Sequence, residues 1–294
     1  MSSVSAIVPT HNRAATLRRA LASVFSQTRP PDEVIVVDDA STDATADVLR
    51  DFPTARVVRL DRNGGAANAR NEGVRHATGE FVAFLDSDDV WLSHKLELQL
   101  AAFAGEPSPD LVCSGITVRG SGGAVAYHGF AGDSPAEGWS FGEFQNYPFC
   151  PSTWLIRRAV FDAVGPFDAS LPNCEDLDYL ARLAGRCRMR LIADPLVLKY
   201  NLHDSLDANL SRTAVSYQTL FSRYPALWRR APRALIASHV RLASMYARAG
   251  DLGRARALLW QTARRHPGNT APWLLLAASL LGPRAYQRAW RHVA

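Results

Sequence analysis

Residues 62–91 read RNGGAANARNEGVRHATGEFVAFLDSDDVW. Gly64 and Gly65 break the chain ahead of a segment that predicts a helix to about Ala77, with Gly79 as its C-cap. Phe81–Leu85 is a short apolar run between turn residues, the mark of a strand buried on both faces. Asp86, Ser87, Asp88 and Asp89 follow it directly. Three carboxylates within four residues repel one another. A divalent cation relieves that repulsion and bridges to a phosphate. Hard oxygen ligands select Mg²⁺ or Mn²⁺ over zinc. The same acids also suit an Asx turn that caps the next helix.

The pattern repeats on the N-terminal side. Val4–Pro9 and Glu33–Val37 are apolar runs rich in β-branched residues, and Arg56–Leu60 reads as a third strand. Residues 14–27 have helical spacing at Leu17, Leu21, Val24 and Phe25. Ser41, Thr42 and Asp43 are N-cap residue types, which predicts a helix to about Phe52. Strands alternating with helices of about 10–15 residues predict βαβ units, so the fold class is α/β with a mixed, mainly parallel sheet flanked by helices. Ligands of such sheets lie beyond the carboxyl ends of the strands. Those ends carry Pro9-Thr10, Asp38-Asp39 and the Asp86–Asp89 cluster.

The middle of the chain is less regular. Leu111–Arg119 and Ala124–His128 predict a hairpin across Gly120–Gly123, and Ser152–Ile156 a further strand. Asp176–Ala184 predicts a helix, and Arg190–Ile192 with Leu196–Tyr200 read as strands. After about residue 213 the pattern is all helical, which divides the chain into 1–213 and a C-terminal appendage, 214–294. Within the appendage, Tyr246, Gly250, Ala255 and Pro267 have the spacing of a tetratricopeptide repeat. A single pair of packed amphipathic helices reads the same way.

Charge separates the two parts. The net charge is +5, yet residues 221–294 hold 13 Arg, no Lys and one acid, Asp251, which is +12 and leaves −7 on residues 1–220. An acidic body can hold cations. A basic tail can meet an anionic surface, with Trp260 and the run Trp273–Leu281 adding shallow apolar contact. The most apolar run, Ala271–Leu281, falls short of the ~20 residues of a membrane span. The four cysteines, Cys113, Cys150, Cys174 and Cys187, form no CxxC pair. The opening MSSVSAIVPTHNR has neither the basic nor the apolar region of a secretory signal, so reduced thiols and a cytoplasmic location are expected.

Other constellations bear on chemistry. Asp39 can accept hydrogen bonds from a base or ribose, or serve a helix end. Arg70, behind Asn63-Gly64-Gly65, can face a phosphate. This loop is neither GxGxxG nor a P-loop. Glu175-Asp176 precedes an apolar helix, as a dipole partner or as a catalytic base. His203 lies in a polar, loop-like stretch. Trp139 and Trp154 read as core residues that could also stack a sugar.

VSAIVPTHNR, SVFSQT, PDEVIVVDDASTDAT, the stretch 62–91 and CEDLDYLARLAG stand in this order with the spacing of one family. Residues 4 to about 204 resemble family 2 glycosyltransferases of the GT-A fold. The resemblance implies an inverting, metal-dependent transfer of one sugar from a nucleotide-sugar donor, commonly a UDP-sugar, to a hydroxyl of a sugar, lipid-linked or other acceptor. It implies that Pro9 and Thr10 line the nucleoside pocket, Asp39 holds the base, and Arg70 lies near the nucleotide. Asp86 would contact the ribose and, with Asp88, the Mn²⁺ or Mg²⁺ ion. Asp176 of the Glu175-Asp176 pair would be the general base, and His203 the histidine that approaches the metal. The Gln-x-x-Arg-Trp motif of processive members is absent, which implies single-sugar transfer. Nucleic acid is not an expected partner. A nucleotidyltransferase would need a basic glycine-rich loop where PTHNRAAT stands. A non-catalytic interaction protein with a docking tail is the other alternative, but its acidic motifs would be lost, and here they are intact.

Overall fold

A computed structural model of the chain describes residues 2–119, 125–128, 132–133, 150–200 and 210–293. They fall into two units. One comprises the described residues up to Asp133 together with 150–170 and 175–200; the other comprises Leu171–Cys174 and the residues from Leu210 onward.

The first unit is a mixed sheet flanked by helices. Its strands are β1 (Val4–Thr10), β2 (Glu33–Asp38), β3 (Arg56–Arg59), β4 (Phe81–Phe84), β5 (Val90–Trp91), β6 (Leu111–Arg119), β7 (Val125–His128), β8 (Gly132–Asp133), β9 (Trp154–Arg157) and β10 (Met189–Tyr200). The order is β3-β2-β1-β4-β9-β6-β10-β5, with β7 on β6 and β8 on β10. The β3-β2-β1-β4 half is parallel throughout. β9 enters antiparallel to both β4 and β6, and β10 runs parallel to β6.

Every residue of β1 is buried, as a central strand covered on both faces requires. On its faces lie α1 (Ala14–Phe25) and α3 (Gly65–His76). α3 turns small residues inward, and a Cβ on Gly73 would sit 2.3 Å from Ile7 Cγ2. Helix and strand are therefore closer here than any other side chain permits.

Some expected boundaries move. The helix after β2, α2 (Thr45–Leu49), is a single short turn with no side-chain cap. Ser41 and Thr42 are used elsewhere, while Asp43 divides its carboxylate, Oδ1 accepting the N–H of Thr45 at the start of α2 and Oδ2 reaching α1. Ser41 Oγ accepts the Asn12 N–H, the Thr42 N–H donates to Asn12 Oδ1, and Asp43 accepts from Ala14 N–H. These bonds tie the β2–α2 loop to the start of α1. Gly79 is no C-cap, because Ala77 fills that position. A Cβ on Gly79 would lie 2.7 Å from the Ser5 backbone nitrogen, so it is glycine for close approach. The expected strand at Ser152 begins instead with a 3₁₀ turn, Pro151–Thr153. The two segments after Arg190 form one strand, β10, whose register slips on both sides of Pro195, a residue without an N–H to donate. The expected hairpin strands pair antiparallel, and residues 120–124 between them lie outside the described residues. The remaining helices of this unit are α4 (Lys95–Ala102), α5 (Ala159–Val164) and α6 (Glu175–Leu183). Trp154 is fully buried, while Trp139 lies outside the described residues.

The second unit holds six helices among its described residues: α7 (Leu210–Arg223), α8 (Pro225–Arg230), α9 (Pro232–Arg248), α10 (Leu252–Arg265), α11 (Thr270–Leu280) and α12 (Pro283–Val293). Pro225 and Pro232 start their helices, where a missing N–H does no harm. Asp251 caps α10 by accepting the Arg254 N–H, and Asn269 caps α11 by accepting that of Ala271. Ala243, Ala255, Leu259, Ala263, Leu275 and Tyr286 form its buried core. No described helix is long and apolar enough to cross a membrane. None of the four cysteines is in a disulfide.

Candidate active site

The strand order reverses at β1, which has β2 on one side and β4 on the other. That geometry opens a crevice beyond the carboxyl ends of these strands. Pro9 and Thr10 end β1 and are buried, and Thr10 Oγ1 has no hydrogen-bond partner among the described residues. Asp39, one residue past β2, accepts from Gly64 N–H at 2.7 Å with Oδ1 and from Gly65 N–H at 2.8 Å with Oδ2. Gly65 does this at φ +83°, a left-handed conformation that glycine adopts without a Cβ clash. The glycine loop thus folds onto the end of β2 and anchors the start of α3.

Arg70, one turn further along α3, is 4% exposed. Its Nη1 donates to Glu175 Oε1 at 2.5 Å and its Nη2 to Asp86 Oδ1 at 2.6 Å. Burial opposes the charge on this guanidinium, but Asp86 and Glu175 outweigh burial and raise its proton affinity further, so it is a fixed cation. The sequence reading turns Arg70 toward a phosphate; the structure gives both Nη groups to carboxylates. Next to it, Asn71 accepts from Phe167 N–H at 2.8 Å and donates to Phe167 O at 2.9 Å, which fixes the loop beneath the arginine.

The Asp86–Asp89 cluster divides into unlike groups. Burial pushes the Asp86 carboxyl up, but Arg70 and then Lys199 outweigh it and hold it below the usual carboxylate range. Asp88 is raised by burial and then by Asp86 beside it. Asp89 is fully buried and pushed up to about 7, chiefly by burial. Ser152 Oγ accepts the Asp86 N–H at 3.0 Å and donates to Asp89 Oδ2 at 2.7 Å, while Asp89 Oδ1 has no hydrogen-bond partner among the described residues. A carboxylate that ionises reluctantly beside like charges is a place where a cation is favourable. Among the described residues no three His, Cys, Asp or Glu side chains converge as a metal cage. The hard oxygens of Asp86 and Asp88, set close enough that one raises the other, fit an ion that takes one or two carboxylates and completes its shell with phosphate oxygens and water, as Mg²⁺ and Mn²⁺ do. His203 lies outside the described residues.

Glu175 and Asp176 begin α6. Glu175 is buried against Arg70, whereas Asp176 is half-buried, with Oδ1 accepting the Leu177 N–H at 2.8 Å. Arg70 thus brings the two acidic motifs of the sequence to one place.

Residues 5–165, more than half of the chain, match the model of Glycosyl transferase family 2. The chain belongs to that family. The chain is 46% identical over 101 residues to TuaG of Bacillus subtilis (strain 168), named for teichuronic acid biosynthesis. It is 41% identical over 100 residues to WfgD of Escherichia coli, named a UDP-Glc:alpha-D-GlcNAc-diphosphoundecaprenol beta-1,3-glucosyltransferase. Each match spans 33% of this chain and 40% of the relative, so the similarity extends over well under half of those proteins. The solved mannosyltransferase PcManGT of Pyrobaculum calidifontis, in complex with GDP-Man and Mn²⁺, shares the fold. Its TM-score is 0.62 at 22% identity, over 95% of this chain and 80% of that one. Residues 236–279 match a tetratricopeptide repeat model.

Two residues near these acids escape the sequence reading. Ser152 bridges two aspartates from a turn whose own sequence, Pro-Ser-Thr, signals nothing. Lys199, in β10, acts electrostatically on Asp86, Asp88 and Asp89. It did leave a signal, because the chain has only two lysines, Lys95 and Lys199, against 31 arginines.

Proposed function

We propose that the chain transfers a single sugar, with inversion, from a UDP-sugar to an acceptor hydroxyl in bacterial polysaccharide biosynthesis. The observation that carries this is the Arg70 bridge, which joins the Asp86 cluster to the Glu175-Asp176 helix. One motif suits a nucleoside diphosphate and the other suits the removal of a proton.

Pro9, Thr10 and Asp39 hold the nucleoside, the orphaned Thr10 hydroxyl being available to it. Asp86 meets the ribose through the oxygen that Arg70 leaves open. Asp88, with Asp86 beside it, would hold Mn²⁺ or Mg²⁺, which supplies positive charge against the diphosphate leaving group when bound. Asp176 accepts the acceptor's hydroxyl proton as that oxygen attacks the anomeric carbon. The bond to the diphosphate breaks on the opposite face, and the bonding pair leaves with the nucleoside diphosphate. One such displacement inverts the centre. UDP is preferred to GDP on the strength of WfgD's name at 41% identity against 22% for the mannosyltransferase. WfgD's name also favours a lipid-linked acceptor.

Calorimetry with UDP and GDP, in Mn²⁺ and in EDTA, tests the reading. UDP binds tighter than GDP and needs the cation, and Asp88→Ala weakens binding while the chain stays folded. Equal UDP affinity in EDTA and in Mn²⁺ rejects the metal role. A screen of nucleotide sugars for hydrolysis then names the donor.

A further inference from the structure

We propose that the exposed face of α11 is the surface by which this chain docks on an anionic lipid bilayer. Trp273 is 37% exposed, Leu274 54%, Leu280 70% and Leu281 82%. With Ala277, also exposed, they recur at three- and four-residue intervals and so line one side of the helix. The other side, through Pro272, Leu275 and Ser279, is buried. A water-facing helix side is normally polar. Here no Asp, Glu, Lys or Arg occurs between Arg265 and Arg284. Trp260 of α10 extends the patch: it is 49% exposed and meets Trp273 edge-on at 5.8 Å.

The rim is cationic. Arg264 stands 5.8 Å from the Trp260 ring, and Arg284 and Arg288, exposed on α12, follow the Leu281 end. Across residues 221–294 thirteen arginines face a single acid, Asp251. Charge selects the occupant. A second copy seated on this face would oppose arginine to arginine, which disfavours association. An anionic bilayer satisfies every part at once. Leucines enter the acyl boundary, the tryptophans sit at headgroup level, and the arginines meet phosphates. Each arginine brought to the surface raises binding about fivefold.

Vesicle flotation reads this surface, and UDP calorimetry on the same protein reads the catalytic proposal, so either can fail without the other. At low salt the chain floats with vesicles of phosphatidylglycerol and phosphatidylethanolamine and not with phosphatidylcholine alone; high salt releases it. Leu280→Ser with Leu281→Ser lowers vesicle binding about tenfold or more, with helix content and UDP binding unchanged. Arg284→Glu with Arg288→Glu lowers it further than screening does in the parent. A folded chain that fails to float with the anionic vesicles at low salt overturns the proposal, as does equal flotation of the leucine variant. A dimer that the leucine pair dissolves, without flotation of the parent, assigns the face to self-association instead.

Discussion

Arg70 holds its charge in a place almost closed to water, between two carboxylates drawn from motifs far apart in the chain. Such a bridge gains little over an apolar replacement of all three partners, but removing one member strands the others. Arg70→Met therefore strips the buried Glu175 of its guanidinium, leaves the half-buried Asp86 with Lys199 as its remaining positive neighbour, and lowers stability by about 3–5 kcal/mol; urea unfolding monitored by circular dichroism measures it. Asp176 differs because it lies outside the bridge. Asp176→Asn should cut transfer by ~10²–10⁴-fold while donor affinity changes little, because a missing base affects the chemical step and not the ground state. Single-turnover rates beside UDP affinity separate the two. Unchanged turnover would leave Asp176 as a helix-end acid only. Glu175→Gln should do the reverse, with a larger loss of stability than of rate.

At the scale of elements, α3 carries the site, and Gly73 sets its distance from β1. Gly73→Ala puts a methyl group into Ile7 and pushes the helix outward. Overpacking of this kind costs about 1–3 kcal/mol. Because Arg70 rides on the same helix, UDP affinity should fall with the melting temperature, whereas a change confined to stability would mean that the helix tilts without moving Arg70. Strands β1, β2 and β4, and the acids at the ends of β2 and β4, were legible because buried parallel strands are unbroken apolar runs and polar residues can appear only where the runs stop. Short-range signals misled where side chains serve distant partners. Ser41 suits a helix cap, yet its hydroxyl accepts the Asn12 N–H, and α2 shrinks to one turn. Gly79 suits a C-cap, yet it is glycine because Ser5 lies against it. The Ser152 bridge and the Glu175–Arg70 pair span 66 and 105 residues respectively, a range at which local spacing carries no information.

At the scale of the molecule, the two units should answer differently to acid. His239, buried in the helical unit, bonds with Thr262 Oγ1 at 2.9 Å and meets Phe221 edge-on. Burial first, then Arg265 and His266, pull its pKa down to about 4. The unfolded chain binds that proton at about 6.5 and the folded one resists it. The stabilisation is therefore complete above about pH 6.5 and lost progressively as pH falls to about 4, amounting to roughly 3 kcal/mol at most. Thermal melts at pH 7 and pH 5 should show the helical unit weakening, and His239→Gln should reduce that weakening while keeping a partner for Thr262. A melt equally acid-sensitive in the variant would locate the response elsewhere.

The Arg70 bridge also constrains how this chain can change over generations. Asp86 and Glu175 share one guanidinium, so a lineage cannot lose either acid without leaving the arginine half-neutralised, nor lose the arginine without stranding both acids. Single substitutions at the three positions should be purged, and viable descendants should either keep the trio or replace it as a set. Two motifs that look independent on the page are inherited as one.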